Sequence, residues 1–496
     1  MTNFIYDIYV TLPEIYLFLA ICGLLVYGVL NGGSLHLGYP LLTRVIGLVS
    51  IQILILTSLL GLAIPYVNFF SWNFFLASSF SSVYLKRFLI FLSILWICFT
   101  LKYVKKEKIN VFEYWILSLL TILAFSLLLQ IFDLLGTYLI IELQSLSFYV
   151  LASFKRSSEF STEAGLKYFV LGAFSSAFLL FGSSLIYGVT GATNFSDLNI
   201  LFSGFLVENS IILFGIFLGL ILLICALFFK LSAAPFHMWS PDVYEGSPTN
   251  TTAFFSLFPK IVIITLLVKI FVISFYDFIN FGKNIFFSCS FFSLLFGTFG
   301  AFAQKKWKRF LAYSSINHIG FILIGFTSND SFNIFSIFMY LFIYVITVVA
   351  IFSLILDLRI HNYHQDNQIR FIREILNLGS TNPLLTLSLT LILFSMAGIP
   401  PLSGFFAKVF IILAGVQNGV YSLIIFSIIM SSVACFYYIR IIQSIYFLKI
   451  DKWPIFTPIT KINSFILGIS CFLISFFFLD IELFSILLTR ISITFL

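Results

Sequence analysis

Charged residues are scarce in this chain of 496 residues. Asp, Glu, Lys and Arg together make up only 9%, against about 25% in soluble domains. Hydrophobic residues account for 60%, Phe alone occupies 66 positions, and the mean hydropathy is +1.10. A single water-soluble core cannot hide that much apolar surface. The composition therefore predicts an all-α membrane protein that crosses the bilayer many times.

The chain also lacks the motifs of redox and nucleotide sites. Its six cysteines all lie within apolar runs and none forms a Cys-x-x-Cys pair, which argues against an iron–sulfur cluster or a structural zinc site. Neither a G-x-G-x-x-G nor a G-x-x-x-x-G-K-[ST] motif is present, so we expect no cofactor and no metal on this chain. The formal net charge of +7 is scattered between apolar runs, which excludes a nucleic-acid surface.

Apolar runs bounded by polar, Pro and Gly clusters predict about 14 transmembrane helices. Lys and Arg concentrate in the loops that follow odd-numbered helices, whereas the loops after even-numbered helices hold only Lys86, Arg87 and Lys283. Because basic loops favour the matrix or cytoplasmic side, both termini are predicted on the opposite side. The start of the chain carries no early Arg or Lys, so the first apolar run is expected to be a retained membrane helix.

Two predicted helices are interrupted by proline close to a lysine. In the seventh, Lys230 ends the apolar run and Pro235 follows five residues later. In the twelfth, Pro400 and Pro401 precede Lys408. Proline withdraws a backbone donor and opens a helix, which is a device of transporters. The second break lies five predicted helices after the first, an odd offset that would invert the second copy, so an inverted repeat is predicted.

A few ionisable residues lie deep in apolar runs, where each charge costs about 2.5–3.5 kcal/mol. Glu142 lies near the middle of the fifth predicted helix, Lys260 follows a proline in the eighth, and His318 lies in the tenth. With Lys230 and Lys408 they could form a chain of titratable sites that carries protons. The alternatives are a hydrogen-bonded packing role for His318 and lysines that reach the membrane interface.

Other polar residues allow two interpretations. Lys167 either forms an i, i+4 ion pair with Glu163 at a helix end or joins the proton relay. His237, Asp242 and Glu245 could bind a metal, but their irregular spacing favours a folded, hydrogen-bonded re-entrant loop. Three more basic residues lie near predicted helix ends and are expected to reach the interface: Arg44, Lys269 and Arg440.

Four segments resemble the antiporter-like membrane subunits of respiratory complex I, the proton-pumping NADH:ubiquinone oxidoreductase, and among them the mitochondrial chain 2 type. They are IELQSLSFYVLASFKRSSEFSTEAGLKYFVLGAFSSAFLLFG, FKLSAAPFHMWSPDVYEGSPT, LAYSSINHIGFILIG and AGIPPLSGFFAKVF. The resemblance matches the functional glutamate of the fifth helix to Glu142. It matches the family's lysines of helices 7, 8 and 12 to Lys230, Lys260 and Lys408.

The resemblance also implies a division of the chain. Residues 1–110 would form an N-terminal three-helix segment and residues 111–275 a first antiporter-like repeat of helices 4–8. Residues 276–450 would form a second repeat of helices 9–13, inverted relative to the first, and residues 451–496 a C-terminal helix 14.

The implied function is proton translocation in the membrane arm, with NADH, FMN, iron–sulfur clusters and ubiquinone on partner subunits. Expected partners are neighbouring antiporter-like and small membrane-arm subunits and lipids, including bound phospholipid. The expected location is the mitochondrial inner membrane, with a bacterial plasma membrane as the second choice. Two other functions stay open at this point: a stand-alone cation/proton antiporter of the same fold, and a structural subunit without its own proton channel.

Overall fold

The computed structural model describes residues 2–32, 41–66, 68–109, 111–203, 210–362, 365–375, 378–447 and 455–495. Twenty α-helices occur in these ranges: α1 Thr2–Val10, α2 Leu12–Gly32, α3 Leu41–Ala63, α4 Phe80–Lys106, α5 Glu113–Leu128, α6 Leu134–Ala152, α7 Glu159–Thr190, α8 Phe195–Ser203, α9 Ser210–Leu231, α10 Trp239–Gly246, α11 Thr249–Lys269, α12 Ile279–Phe302, α13 Trp307–Ile324, α14 Ser331–Ile355, α15 Leu378–Thr381, α16 Pro383–Ala397, α17 Ser403–Gln417, α18 Tyr421–Phe447, α19 Lys461–Phe476 and α20 Ile481–Ile493.

Two small hairpins are the sheet structure of the described ranges. Strand β1 (Phe69–Ser71) pairs antiparallel with β2 (Leu76–Ser78), and β3 (Arg359–Asn362) pairs with β4 (Gln365–Gln368). Both hairpins lie in connections between helices. The all-α fold class is therefore confirmed, with short hairpins that the sequence did not predict.

Twelve helices of the described ranges are long and apolar enough to cross a bilayer, and three shorter apolar helices accompany them: α5, α16 and α17. The multi-pass membrane architecture is thus confirmed, while the count of fourteen crossings stays a prediction. One predicted run differs clearly: the last, near residues 462–490, is divided into α19 and α20 by a 3-10 turn at Phe477–Leu479.

Burial separates interior helices from peripheral ones. Helices α11, α13 and α14 are buried along nearly their whole length, whereas α2, α7 and α19 leave most of their apolar side chains exposed. Exposed Leu, Ile and Phe side chains on long helices are what a lipid-facing surface requires. The interior helices are those that carry Lys260 and His318, so these two groups lie in the protein rather than toward lipid.

The order of helices repeats once along the chain. Helices α5, α6, α7, α9 and α11 are followed by α12, α13, α14, α16 and α18, and the fourth member of each group is continued by a second helix, α10 or α17, after a break. Within the groups, α7 packs along α9 and α12 along α13. The observed order agrees with two five-helix repeats, and the inverted relation and the domain boundaries stay predictions.

The second break depends on two glycines. Gly398 ends α16 with a φ of 82°, a left-handed conformation that suits glycine. Its N–H donates to the carbonyls of Phe394 and Ser395, 3.0 Å away in each case. Gly404, in the first turn of α17, lies so close to the Ser395 carbonyl that no Cβ fits between them. The two halves of the helix therefore meet backbone against backbone.

We expect Gly404→Ala to destabilise the folded protein by about 1–3 kcal/mol, the usual effect of overpacking a dense interior. The added methyl group would overlap the Ser395 carbonyl oxygen, which belongs to the backbone and cannot rotate away. Thermal unfolding of the assembled complex measures the effect. The matched control is Gly468→Ala in α19, where no heavy atom lies within 4 Å of the new Cβ. Equal stability of the two variants would contradict this packing argument.

Lys86, Arg87 and Lys283 were predicted in loops, but all three lie in helices, the first two in α4 and the third in α12. Lys86 belongs to α4 rather than to a loop, and its side chain is only 1% exposed. Its Nζ donates to Glu14 Oε1 on α2 at 2.6 Å, and Glu14 is 5% exposed. An unpaired ammonium would be costly in a membrane interior, so the ion pair is what allows Lys86 to be buried. This pair attaches the N-terminal helices to α4.

Candidate functional site

The first break begins where α9 ends, and it positions Lys230. Residues 232–238 separate α9 from α10, with Ser232 in a left-handed conformation (φ 62°). The Phe229 carbonyl near the end of α9 accepts hydrogen bonds from the Trp239 indole N–H at 2.9 Å and from the Ser232 backbone N–H at 3.0 Å. The predicted interruption around Pro235 is confirmed. Lys230 lies in the last turn, where the carbonyl ends of a helix favour a cation.

Lys230 is buried and has no hydrogen-bond partner among the described residues. Its Nζ lies 5.8 Å from the ring centre of Tyr149 on α6, within cation–π distance. Glu142, two turns before Tyr149 on the same helix, is within electrostatic reach of Lys230. No direct Glu142–Lys230 ion pair occurs in the described ranges, so the two groups interact through space rather than by contact.

Glu142 is held by its own helix. Ser145 Oγ donates to Glu142 Oε2 at 3.1 Å, whereas Oε1 is buried without a partner. The residue is half-buried, and beside it on the outer face of α6 lie exposed apolar side chains, Leu139, Leu143 and Leu146. Glu142 therefore lies at the border between the interior and a face that lipid or another protein can cover.

Lys260 lies in the most enclosed part of the protein. It is 3% exposed, and its Nζ donates to the Tyr344 hydroxyl of α14 at 2.8 Å. Pro259 precedes it inside α11, which continues as a helix through this position. In the described ranges Lys260 has no acidic ion-pair partner. A tyrosine hydroxyl is thus the contact of this buried lysine.

His318 lies between Lys260 and Lys408. Its Nδ1 is 2.7 Å from the Tyr340 hydroxyl, and its Nε2 is buried without a partner. Both lysines lie within electrostatic reach of the imidazole. His318 and Lys408 line one small cavity together with Tyr344, with space for about one water molecule. The structure brings these groups together.

Lys408 spans the second break. It lies on α17, and its Nζ reaches back to the Ala397 carbonyl at the end of α16, at 2.6 Å. The break around Gly398, Pro400 and Pro401 leaves this carbonyl at a helix end, where Lys408 can reach it. The predicted interruption of the twelfth helix is confirmed. The lysines at the two breaks differ in one respect: Lys230 lies on the first half of its helix and Lys408 on the second.

The structure places Lys167 apart from the buried row. Its side chain is 44% exposed and pairs with Glu163 at 2.7 Å and with Asp242 at 3.2 Å. The helix-end ion pair with Glu163 is present, and Asp242 connects it to a surface network. That network contains Arg309, whose Nη2 contacts Asp242 and whose Nε lies 2.7 Å from Glu245.

The loop that could have bound a metal is engaged in other ways. Asp242 and Glu245 pair with basic side chains, including Lys306, and His237 is buried and stacks on Phe296 with ring centres 5.5 Å apart. Over the described ranges, no three His, Cys, Asp or Glu side chains are grouped as metal ligands. Asp242 and Glu245 lie on helix α10, so the part of the segment predicted as a re-entrant loop is a short helix whose acidic side chains form ion pairs.

A second buried lysine was assigned wrongly from the sequence. Lys269 is 4% exposed instead of reaching the interface, and its Nζ donates to the Leu129 carbonyl at 2.5 Å and to the Ile131 carbonyl at 3.4 Å. These carbonyls follow the end of α5, whose negative dipole end favours a cation. Its burial could have been predicted from the sequence, because Lys269 lies nine residues after Lys260 in the same uninterrupted apolar run.

Outside the spans, Glu107 ties three segments together. Lys155 donates to its Oε2 and Arg359 to its Oε1, both at 2.8 Å. Burial alone would raise the pKa of Glu107, but the hydrogen bonds and charges of the two basic residues hold that pKa below its usual value. The carboxylate is therefore ionised at neutral pH and connects α4 to the α6–α7 loop and to β3.

Comparisons with known proteins agree with this architecture. Residues 132–434 match the family model described as "NADH:quinone oxidoreductase/Mrp antiporter, TM". The chain is 42% identical over 484 residues to NADH-ubiquinone oxidoreductase chain 2 of Marchantia polymorpha, covering 96% of both chains. It is 36% identical over 441 residues to NADH-quinone oxidoreductase subunit N of Paramagnetospirillum magneticum, covering 89% of this chain and 88% of the relative.

Solved structures share the fold at lower identity. A chain of respiratory complex I from Thermus thermophilus aligns with a TM-score of 0.75 at 24% identity, covering 94% of this chain and 96% of that one. A chain of the Mrp complex from Dietzia aligns with a TM-score of 0.79 at 20% identity, covering 98% of both. The arrangement of broken helices is therefore a known fold.

Proposed function

The chain belongs to the NADH:quinone oxidoreductase and Mrp antiporter family, with the NADH-ubiquinone oxidoreductase chain 2 proteins as its relatives, and we propose that it moves protons through its buried ionisable row. It is a membrane-arm subunit of the H+-translocating NADH:quinone oxidoreductase, a multi-pass protein of the mitochondrial inner membrane with other complex I subunits as partners. The proposed row consists of Glu142, Lys230, Lys260, His318 and Lys408.

One observation carries the proposal: each of the three lysines of the row is buried in the helix bundle, and none of them has an acidic ion-pair partner in the described ranges. Lys230, Lys260 and Lys408 contact an aromatic ring, a tyrosine hydroxyl and a backbone carbonyl respectively. The buried Lys86 differs from them, because the Glu14 carboxylate neutralises its charge. Lysines that can gain and lose a proton need the weaker contacts seen here.

Glu142 would set the state of the first lysine. Its charge reaches Lys230 without a direct bond, so a small movement of α6 or of a neighbouring subunit against α6 changes their interaction strongly in a low dielectric. The proton would pass from Lys230 to Lys260, then by way of His318 and water to Lys408. Lys167 belongs to the partly exposed network with Asp242, at the margin of this route.

The energy for transport must come from elsewhere. Moving a proton against the membrane potential costs about 2.3 kcal/mol per 100 mV. We propose that this chain holds no redox cofactor of its own and that NADH, FMN, iron–sulfur clusters and ubiquinone are bound by partner subunits. Bound phospholipid is proposed for the exposed apolar faces. Coupling would then reach Glu142 through the partner that covers the outer face of α6.

We expect Glu142→Gln and Lys230→Met each to reduce the number of protons pumped per NADH oxidised. Each change removes one charge of the interacting pair and keeps the side-chain volume. The measurement is the ratio of proton uptake to NADH oxidation by the purified complex in sealed vesicles. Exposed Glu159→Gln and exposed Lys102→Met are the matched controls.

An unchanged ratio in both charge variants would refute the relay. A purely structural subunit predicts something different again: assembly fails with each charge substitution, and pumping is normal whenever the complex assembles. A stand-alone antiporter predicts sodium-dependent proton exchange by the isolated chain. Two relatives that match this protein over most of its length, with 42% and 36% identity, are complex I chains, and this favours the complex I function.

A further inference from the structure

Tyr344 lies between two small cavities in the interior. One is lined by His318, Lys408 and Tyr344, and the other by Tyr244, Ser315 and Tyr344. Each has space for about one water molecule. Met396, two residues before the Gly398 break, also lines both cavities. Tyr344 and Met396 therefore lie between the two cavities, and Tyr344 also contacts Lys260.

The hydroxyl of Tyr344 has both contacts that proton transfer needs. It accepts a hydrogen bond from Lys260 Nζ at 2.8 Å, and its own hydrogen points toward an acceptor, the Ser256 carbonyl, at 3.3 Å. The second bond is long, so a water molecule in either cavity could replace it as acceptor. A hydroxyl can receive a proton on its oxygen while releasing its own, so no net charge stays on tyrosine.

The second cavity leads from the buried row toward α10. Tyr244 of α10 and Ser315 of α13 both line this cavity. On the same two helices, Asp242 and Arg309 belong to the partly exposed ion network. The second cavity thus lies against the two helices that carry this network. The first cavity continues on the other side to His318 and Lys408.

We propose that the Tyr344 hydroxyl is the proton-transfer group that connects Lys260 to both cavities. The inference rests on the proposed function and adds a residue and a branch point to it. In one direction the Lys260 ammonium gives a proton to the Tyr344 oxygen, and the hydroxyl proton passes to a water molecule, leaving neutral lysine and hydronium. The reverse sequence recharges Lys260 from the cavity near α10. Met396 and Tyr344 together decide which cavity is connected.

Tyr344→Phe tests this assignment, since it removes one oxygen and keeps the ring that packs against Lys260. We expect the number of protons pumped per NADH by the assembled complex to fall at least half as far as in Lys260→Met. The remaining pumping should be slowed more in D2O than wild-type pumping, because proton transfer becomes limiting. The matched control is Tyr114→Phe, which removes a buried hydroxyl that bonds Asn250 away from the row.

Pumping and a solvent isotope effect equal to those of the wild type in assembled Tyr344→Phe would overturn the assignment. Reduced pumping with an unchanged isotope effect would also overturn it, since that is the signature of a structural hydroxyl. Lys260→Met separates the two levels: if it pumps normally, the proposed function fails, whereas a loss confined to Lys260→Met means that only Tyr344 was assigned wrongly.

A second variant covers poor assembly of Tyr344→Phe. Met396→Phe keeps the Tyr344 hydroxyl but adds bulk to the partition between the cavities, so we expect a similar fall in protons pumped per NADH. Normal pumping by an assembled Met396→Phe complex would overturn the role of the two cavities.

Discussion

Lys260→Met is expected to abolish proton transfer through this subunit, with a loss of about 10²-fold or more in its rate. Lys260 lies at the centre of the row, and methionine keeps most of its aliphatic volume while removing the group that carries the proton. Its Nζ bonds only a tyrosine hydroxyl in the described ranges, so the substitution leaves no carboxylate unpaired. We therefore expect Lys260→Met to fold normally while losing proton transfer.

The measurement is proton uptake per NADH oxidised by the reconstituted complex, together with NADH oxidation after the membrane is made permeable to protons. We expect the first to fall and the second to persist, because the redox sites are proposed on partner subunits. Lys102→Met, at an exposed position of α4, is the control for loss of a positive charge. A wild-type ratio in assembled Lys260→Met would remove the centre of the proposed relay.

Lys86→Met is expected to have the largest effect on stability. It leaves the Glu14 carboxylate, which is 5% exposed, without its cation, and breaking a buried ion pair from one side costs about 3–5 kcal/mol. Because the pair joins α2 to α4, the loss should appear as detachment or proteolysis of the N-terminal helices and as poor assembly. Thermal unfolding of the complex gives the magnitude.

The double variant Glu14→Leu/Lys86→Met is the decisive comparison. It removes both charges, so we expect it to recover most of the stability lost in Lys86→Met. Glu163→Gln, which disrupts a largely exposed ion pair, should change stability little. A double variant as unstable as Lys86→Met would mean that the Lys86 stem, rather than the charge pair, holds these helices together.

The helix breaks were predictable because their cause is local. Proline removes a backbone donor wherever it lies, so Pro235 and the pair Pro400 and Pro401 mark the interruptions without knowledge of any neighbour. The position of Glu142, Lys230 and Lys260 deep in the membrane could likewise be predicted from the sequence. Charged residues are so rare in this chain that each of them is easily recognised within its apolar run.

The role of each individual basic residue could not be predicted from the sequence in the same way. Lys86 and Lys269 both look like residues near a helix end. Lys86 is neutralised by Glu14 from a helix far away in sequence, whereas Lys269 donates hydrogen bonds to backbone carbonyls that follow α5. Tyr344 lies among many aromatic residues of an apolar run, and its contact with Lys260 joins residues 84 positions apart. The contact partners of these three lysines depend on how the helices pack against one another.

The sequence by itself determined that this chain lies in a bilayer, where it has broken helices and which few charges need an explanation. These properties follow from local chemistry: apolar length, missing backbone donors and the free energy of a charge in hydrocarbon. Only the tertiary structure decided which buried cation is paired and which is left with a hydroxyl, a ring or a carbonyl. That distinction separates structural lysines from candidate proton carriers, and it arises from contacts between helices that the linear order does not encode.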